Sequence, residues 1–305
     1  MTLKRMPLKG TVLQGLVVAS HGRHCVVETP DGERRICHPR GKKNQVVVGD
    51  QVQWLASTDE GTIEKVEPRR NLFYRQDEIR TKSFAANLDQ VLILIAAEPE
   101  FSEMQLTRAL IAAEAEHITP VIALNKSDLT DAFARSLARL APYTTMGYTV
   151  LQLALKQGQM SDLAQRLHHK TTLVLGPSGT GKSTLINQLI PDANVATGEI
   201  SHALNSGRHT TTSTTWHWVD GDRKTGLIDS PGFQEFGLHH IDAMQLAAYM
   251  PDMKPHVANC KFYNCTHLHE PGCGVQAAVQ SGAISASRYK LYGLLFAELT
   301  QAPHY

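Results

Sequence analysis

Gly176-Pro177-Ser178-Gly179-Thr180-Gly181-Lys182-Ser183-Thr184 follows the apolar run Thr171-Thr-Leu-Val-Leu175 and leads into a helical pattern. The stretch matches G-x-x-x-x-G-K-[ST] in the strand, loop and helix setting that a phosphate loop requires. Its glycines let the backbone wrap so that successive N–H groups point at the α- and β-phosphates. The helix that follows adds its positive N-terminal end. Lys182 is then expected to reach the β- and γ-phosphates and Ser183 to ligate Mg²⁺. The competing reading of the same letters is a fortuitous glycine-rich turn.

A phosphate loop does not choose between ATP and GTP, so the sequence on either side decides. Upstream, Asn125-Lys126-Ser127-Asp128 follows the strand-like Pro120-Val-Ile-Ala-Leu124, which places N-K-x-D at the carboxyl edge of a sheet. A carboxylate only accepts hydrogen bonds, so Asp128 can pair with guanine N1–H and the 2-amino group, whereas adenine offers it an acceptor. Asn125 would tie the base loop to the phosphate loop, and Lys126 would lie along the purine face. Taken alone, the tetrapeptide could be a surface turn. Downstream, Asp229-Ser-Pro-Gly232 follows Gly226-Leu-Ile228 and fits D-x-x-G. Asp229 would hold Mg²⁺ directly or through water, and the Gly232 N–H would sense the γ-phosphate. Between them, Gly207-Arg208-His209-Thr210-Thr211-Thr212 offers a threonine to close over Mg²⁺ and the γ-phosphate. Thr211 is favoured over Thr210, and a plain turn or strand start is the alternative.

Further outward, Val91-Leu-Ile-Leu-Ile-Ala96 reads as a strand buried in a parallel sheet, and Ser102 to Gln105 as a capped helix start running toward Ile118. With Ala132–Leu140 as the next helix, the centre of the chain is a doubly wound α/β domain. Before it, Gly10–Ser20, Cys25–Glu28, Arg35–His38, Gln45–Leu55 and Gly61–Val66 read as short strands of a small β-barrel resembling an oligonucleotide-binding fold. Tyr74–Ser83 reads as a polar linker.

The 305 residues are 42% apolar, and 30 Lys+Arg against 29 Asp+Glu leave a formal net charge of +1, which argues against wholesale disorder and against a uniformly basic protein. Residues 1–50 nevertheless hold nine Lys/Arg against four Asp/Glu, a local +5. The stretch from Arg34-Arg35 to Arg40-Gly41-Lys42-Lys43 is the expected nucleic-acid contact, with a solvated loop as the alternative. No apolar run approaches the about 20 residues that span a bilayer, so no membrane and a cytoplasmic location are expected. Three of the five cysteines crowd into Cys260-x₄-Cys265-x-His267-x₅-Cys273. Three thiolates and one imidazole form a tetrahedral donor set suited to one structural Zn²⁺. His269 competes with His267 for the fourth position. Cys25 and Cys37 read as small hydrophobes buried in the barrel.

In ordinary GTPases N-K-x-D comes last, but here it precedes the phosphate loop, so the domain looks circularly permuted. With Asn87-Leu-Asp-Gln-Val91, the five motifs above and their order, residues 9–295 resemble the RsgA (YjeQ/YloQ) family of small ribosomal subunit biogenesis GTPases. The resemblance implies three domains: an OB-like β-barrel over 1–75, a circularly permuted P-loop GTPase domain over 76–237, and a helical zinc-binding domain over 238–305. It also implies GTP and GDP as ligands, the small (30S) ribosomal subunit and its rRNA as partners in late maturation, and His267 as the zinc ligand. A monomer is expected. At the family's S-A base loop the chain has Leu153-Ala154-Leu155-Lys156, without the serine. Phe233 occupies the place of the water-orienting glutamine of many GTPases, so in-line attack needs another group. His209 is the candidate, as the family's R-H-T-T histidine implies, with Arg208 a charge stabiliser; mere packing of the switch by His209 is the alternative. Two other functional classes stay open: a nucleotide-gated RNA-binding module in which hydrolysis is incidental, and a P-loop ATPase or small-molecule kinase.

Overall fold

The computed structural model describes residues 11–41, 45–58, 60–76, 81–193, 214–230 and 236–301. The first five strands are β1 (Val12–Ser20), β2 (Cys25–Glu28), β3 (Arg34–Pro39), β4 (Gln51–Ala56) and β5 (Gly61–Val66). β1 pairs antiparallel with both β2 and β4, β3 runs parallel to β5, and β5 returns to β4. The order β1-β2-β3-β5-β4 thus closes on itself as a five-stranded barrel, the expected OB-like topology. A register shift between Val17 and Ala19 lets the long first strand bend enough to serve two neighbours. Val17, Val27, Cys37, Val52, Trp54 and Ile63 fill the interior. Cys25 and Cys37 face each other across the β2–β3 pair, fully buried as expected.

Two expectations along this stretch are corrected. Gln45–Leu55 is not one strand, because the chain turns before β4: the buried Asp50 accepts from the Val47 N–H at 2.9 Å and is clamped by Arg69 at 2.7 and 2.8 Å. Tyr74–Ser83 is not a linker. Leu72–Gln76 (β6) and Thr81–Ala86 (β7) form an antiparallel hairpin, residues 77–80 lying outside the described set. Its polar tip hid the pattern, while Phe73 and Phe84 point inward onto Phe236 with ring centroids 5.6 and 6.0 Å away. Asn71 closes the hairpin base by bonding both the N–H and the C=O of Leu88.

The central sheet adds β8 (Gln90–Ala96), β9 (Thr119–Asn125), β10 (Thr149–Gln152), β11 (Thr171–Leu175), β12 (Thr215–Trp218) and β13 (Gly226–Asp229) in the order β10-β9-β8-β11-β13-β12. Every pairing is parallel except that of β12 with β13. Helices α1 (Glu103–Ala115) and α2 (Thr130–Thr145) cover one face through Leu106, Leu110, Phe133 and Leu140. Helices α3 (Ser161–Leu167) and α4 (Lys182–Leu189) cover the other through Leu163, Leu167, Leu185 and Ile186. All seven residues of β8 are buried, as a strand covered on both faces requires. The barrel joins this sheet at Ala19↔Thr215, so the strands of both units run as one eleven-stranded sheet.

The C-terminal segment carries a 3₁₀ stretch (Ala243–Tyr249) and helices α5 (Lys254–Val257), α6 (Gly274–Gln280) and α7 (Ala286–Thr300). Arg288 of α7 is buried, donates to Asp252 at 2.8 and 3.2 Å and to Thr107 of α1 at 2.8 Å, and lies over the Tyr143 ring of α2. Glu298 receives Arg108 of α1 through both carboxylate oxygens. These contacts seat the last helix on the α1–α2 face. Among the described residues no helix is long and apolar enough to cross a membrane.

Candidate nucleotide and metal sites

The phosphate loop emerges where the sequence places it, between β11 and α4. Gly179 and Gly181 have φ of 82° and 101°, values that L side chains rarely adopt. A Cβ on Gly181 would also lie 2.5 Å from Asn125 Nδ2, so this glycine is required twice over. Thr180 is buried and donates its hydroxyl to Pro177 O at 2.9 Å, bracing the loop from within, while Ser178 and Gly179 stand exposed. Gly176 packs against β8, where an added Cβ would meet Leu94 O at 2.6 Å. Ser183 and Thr184 sit half-buried in the first turn of α4.

Asn125 ends β9 and is buried against this loop. Its Nδ2 donates to Thr180 O at 2.9 Å, and its Oδ1 accepts the Leu155 N–H at 3.1 Å. One side chain therefore joins the phosphate loop to the 153–157 loop, the segment that lacks the expected serine. Gln188 of α4 donates to Leu155 O and secures that loop from the other side. Lys126 adopts φ 70° and donates from Nζ to Glu98 O, and Asp128 stands exposed two residues on.

Lys182 and Asp229 meet at the other end of the loop. Asp229 ends β13, buried, and its Oδ1 lies 3.5 Å from Lys182 Nζ, which also donates to Ser230 O. Burial pushes the Lys182 ammonium below its ordinary value, and the Asp229 carboxylate opposes that shift. Ser230 is anchored by its hydroxyl on Val174 O at 2.8 Å. His209 and Thr211, with Arg208 and Thr210, lie outside the described residues, as do Gly232, Phe233, Lys42 and Lys43. Sequence reasoning marked the 153–156 loop but missed Gln188, Glu98 and the role of Ser230. Glu98 and Ser230 accept through backbone carbonyls, which leave no side-chain signature.

The second site is the cysteine cluster. Ligand atoms of Cys260, Cys265, His267 and Cys273 all lie within 4.8 Å of one another. The Cys260 and Cys273 sulfurs are 3.9 Å apart, and His267 Nδ1 is 3.4 and 3.5 Å from them. Zn–S bonds of about 2.3 Å in a tetrahedron give an edge of about 3.8 Å, so the donor set has the size and softness for zinc. Backbone N–H groups of Gly274 and Gln276 donate to the Cys260 and Cys273 sulfurs at 3.3 and 3.4 Å, an arrangement that favours thiolates. Tyr289 and Tyr292 of α7 donate to His267 O at 2.7 Å and Thr266 O at 2.8 Å. His269 is outside the cluster; its N–H donates to Glu270, whose carboxyl is held at about 2 by hydrogen bonds from Thr266 and from the backbone, against the opposing effect of burial.

In the chain the base loop precedes the phosphate loop and D-x-x-G, yet in space the three converge at one edge of the sheet. That arrangement defines a circularly permuted P-loop GTPase. The family model described as RsgA GTPase matches residues 66–239, and the chain belongs to the RsgA GTPase family. It is 68% identical over 311 residues to the small ribosomal subunit biogenesis GTPase RsgA of Variovorax paradoxus, covering 98% of each chain. The protein of that name from Paraburkholderia xenovorans is 53% identical, with 94% of this chain and 93% of that one covered. Among solved structures, YjeQ from Thermotoga maritima matches with a TM-score of 0.76 at 29% identity, covering 96% of this chain and all of the other. YloQ, a circularly permuted GTPase, matches with a TM-score of 0.72 at 27% identity over 99% of this chain and all of the other.

Proposed function

We propose that this chain hydrolyses GTP to GDP and phosphate as a factor in biogenesis of the small ribosomal subunit, acting late in maturation and stimulated by that subunit. The observation that carries the reading is Asn125, whose amide holds the base loop and the phosphate loop at once. Guanine recognition then falls to Asp128, with Lys126 along the ring. Lys182 would leave Asp229 and Ser230 to neutralise charge on the β- and γ-phosphates, with Gly176–Thr184 as the phosphate cradle. Ser183 and Asp229 supply the hard oxygen donors that suit Mg²⁺, which would offset charge on the phosphate oxygens when bound. Thr211 and Gly232 would close over the γ-phosphate, and His209 would position water in place of the glutamine whose position Phe233 takes.

Zinc is the metal proposed for Cys260, Cys265, His267 and Cys273, a closed structural set. We divide the chain at 75/76 and 237/238, with the barrel and the zinc module as the surfaces for the subunit and its rRNA, a cytoplasmic location and a monomeric state. The incidental-hydrolysis reading is not favoured for a member of a GTPase family, and Asn125–Asp128 speaks against an ATPase.

Asp128→Asn tests the guanine site. Loss of two charge-assisted hydrogen bonds predicts GTP affinity at least about 100-fold weaker with no change in fold, measured by titration with a fluorescent GTP analogue. Unchanged preference for GTP over ATP in the variant would contradict the assignment.

A further inference from the structure

The loop between the first two metal ligands runs Cys260-Lys261-Phe262-Tyr263-Asn264-Cys265. Tyr263 is fully exposed and Phe262 partly so, a pair of neighbouring aromatics on the outside of a small, rigid cluster. The loop is held at both ends by cluster cysteines, and the Lys261 N–H donates to Gly272 O at 3.0 Å, which fixes its first residue against the opposite arm. Lys261 Nζ lies 5.5 Å from the Phe262 ring centroid, so a positive charge sits beside the aromatic surface.

Along the chain this stretch carries basic side chains and no carboxylate of its own. From Lys254 to His269 the sequence contains Lys254, His256, Lys261, the cluster ligand candidate His267 and His269, and no acidic residue. The flanking carboxylates are engaged elsewhere: Asp252 by Arg288, and Glu270 by Thr266 and the His269 N–H. An aromatic face with a lysine beside it, on a stretch without a carboxylate of its own, matches an unpaired base carried on a phosphate backbone.

We propose that Tyr263 is a stacking platform for an unpaired RNA base, with Lys261 on the adjoining phosphate; the inference deepens the ribosomal reading above and rests on it. The test compares the full-length, metal-loaded chain with Tyr263→Ala and Tyr263→Phe in binding to purified small ribosomal subunits. Metal content and basal GTP turnover serve as controls that both variants fold. The expected result is about tenfold weaker binding for Tyr263→Ala with retention by Tyr263→Phe. A benzophenone side chain introduced at position 263 should crosslink to rRNA. Wild-type binding by Tyr263→Ala, or a crosslink on a ribosomal protein, overturns the proposal. If the wild-type chain fails to bind subunits, the ribosomal reading itself falls. The same variants titrated against a single-stranded oligoribonucleotide then decide the platform alone: a tenfold difference supports it and equal binding overturns it.

Discussion

Asn125 shows how much one buried amide can fix. Its donor and its acceptor serve different loops, and loss of either bond would leave a backbone group buried without a partner, at a cost of about 1–3 kcal/mol each. The cysteines divide the same way, by surroundings and not by type. Burial pushes the Cys25 and Cys37 thiols from the ordinary 9.0 up to about 12, so they stay protonated and inert. The sign follows directly: the unfolded thiols ionise above pH 9 while the barrel's do not, so their contribution is intact below pH 9 and is lost as pH rises through about 12. Titration with a thiol reagent at pH 8 should therefore label none of the five cysteines rapidly while the metal is bound. After chelation it should label Cys260, Cys265 and Cys273, with Cys25 and Cys37 reacting only on unfolding. Labelling of Cys25 or Cys37 in the folded protein would contradict the burial argument. At this scale the sequence was informative wherever a side chain carries the chemistry, as at Asn125, Lys182 and His267. It was silent at the Glu98 and Ser230 carbonyls, because a backbone group is common to every residue.

At the scale of elements, α7 is the piece that joins the cysteine cluster to the GTPase domain. Its tyrosines hold the cluster loop through the carbonyls of Thr266 and His267, and Arg288 and Glu298 hold α1. Arg288 and Asp252 are both buried, so removing one partner leaves an uncompensated charge. Arg288→Met should lower stability by about 3–5 kcal/mol, read from urea unfolding followed by tryptophan fluorescence, with nucleotide affinity at the distant loop unchanged in the folded fraction. A loss below about 1 kcal/mol would mean the pair is not buried in solution. Strands β9, β11 and β13 were legible because each is a short apolar run ending in a motif. The β6–β7 hairpin was not, since Arg75, Gln76, Thr81 and Lys82 give its tip the composition of a linker, and only Phe73 and Phe84 betray the inward face. The turn before β4 was likewise hidden, because it depends on Asp50 finding Arg69 nineteen residues later.

Across the whole molecule the three units share more than a chain. The barrel continues the central sheet at Ala19↔Thr215, and Trp218 of β12 donates to Glu28 of the barrel at 2.6 Å. β12 begins at Thr215, directly after the threonine-rich segment, and β13 ends at Asp229, directly before Ser-Pro-Gly232. The hairpin strand β6 is tied to the far side of that second segment, with the Gln76 N–H donating to Gly237 O at 3.1 Å and the His239 N–H to Gln76 O at 3.0 Å. The segments expected to sense nucleotide are therefore flanked by elements that belong to, or touch, the barrel and the C-terminal segment. A surface engaged by the barrel and the module together is in a position to bias both segments. The measurement that tests this most directly is GTP turnover by the full-length chain, alone and with purified small ribosomal subunits, with large subunits and ATP as controls. Slow turnover alone and strong stimulation by small subunits only, confined to GTP, are the expected results. Equal turnover with and without small subunits, while GTP still binds tightly, would contradict them.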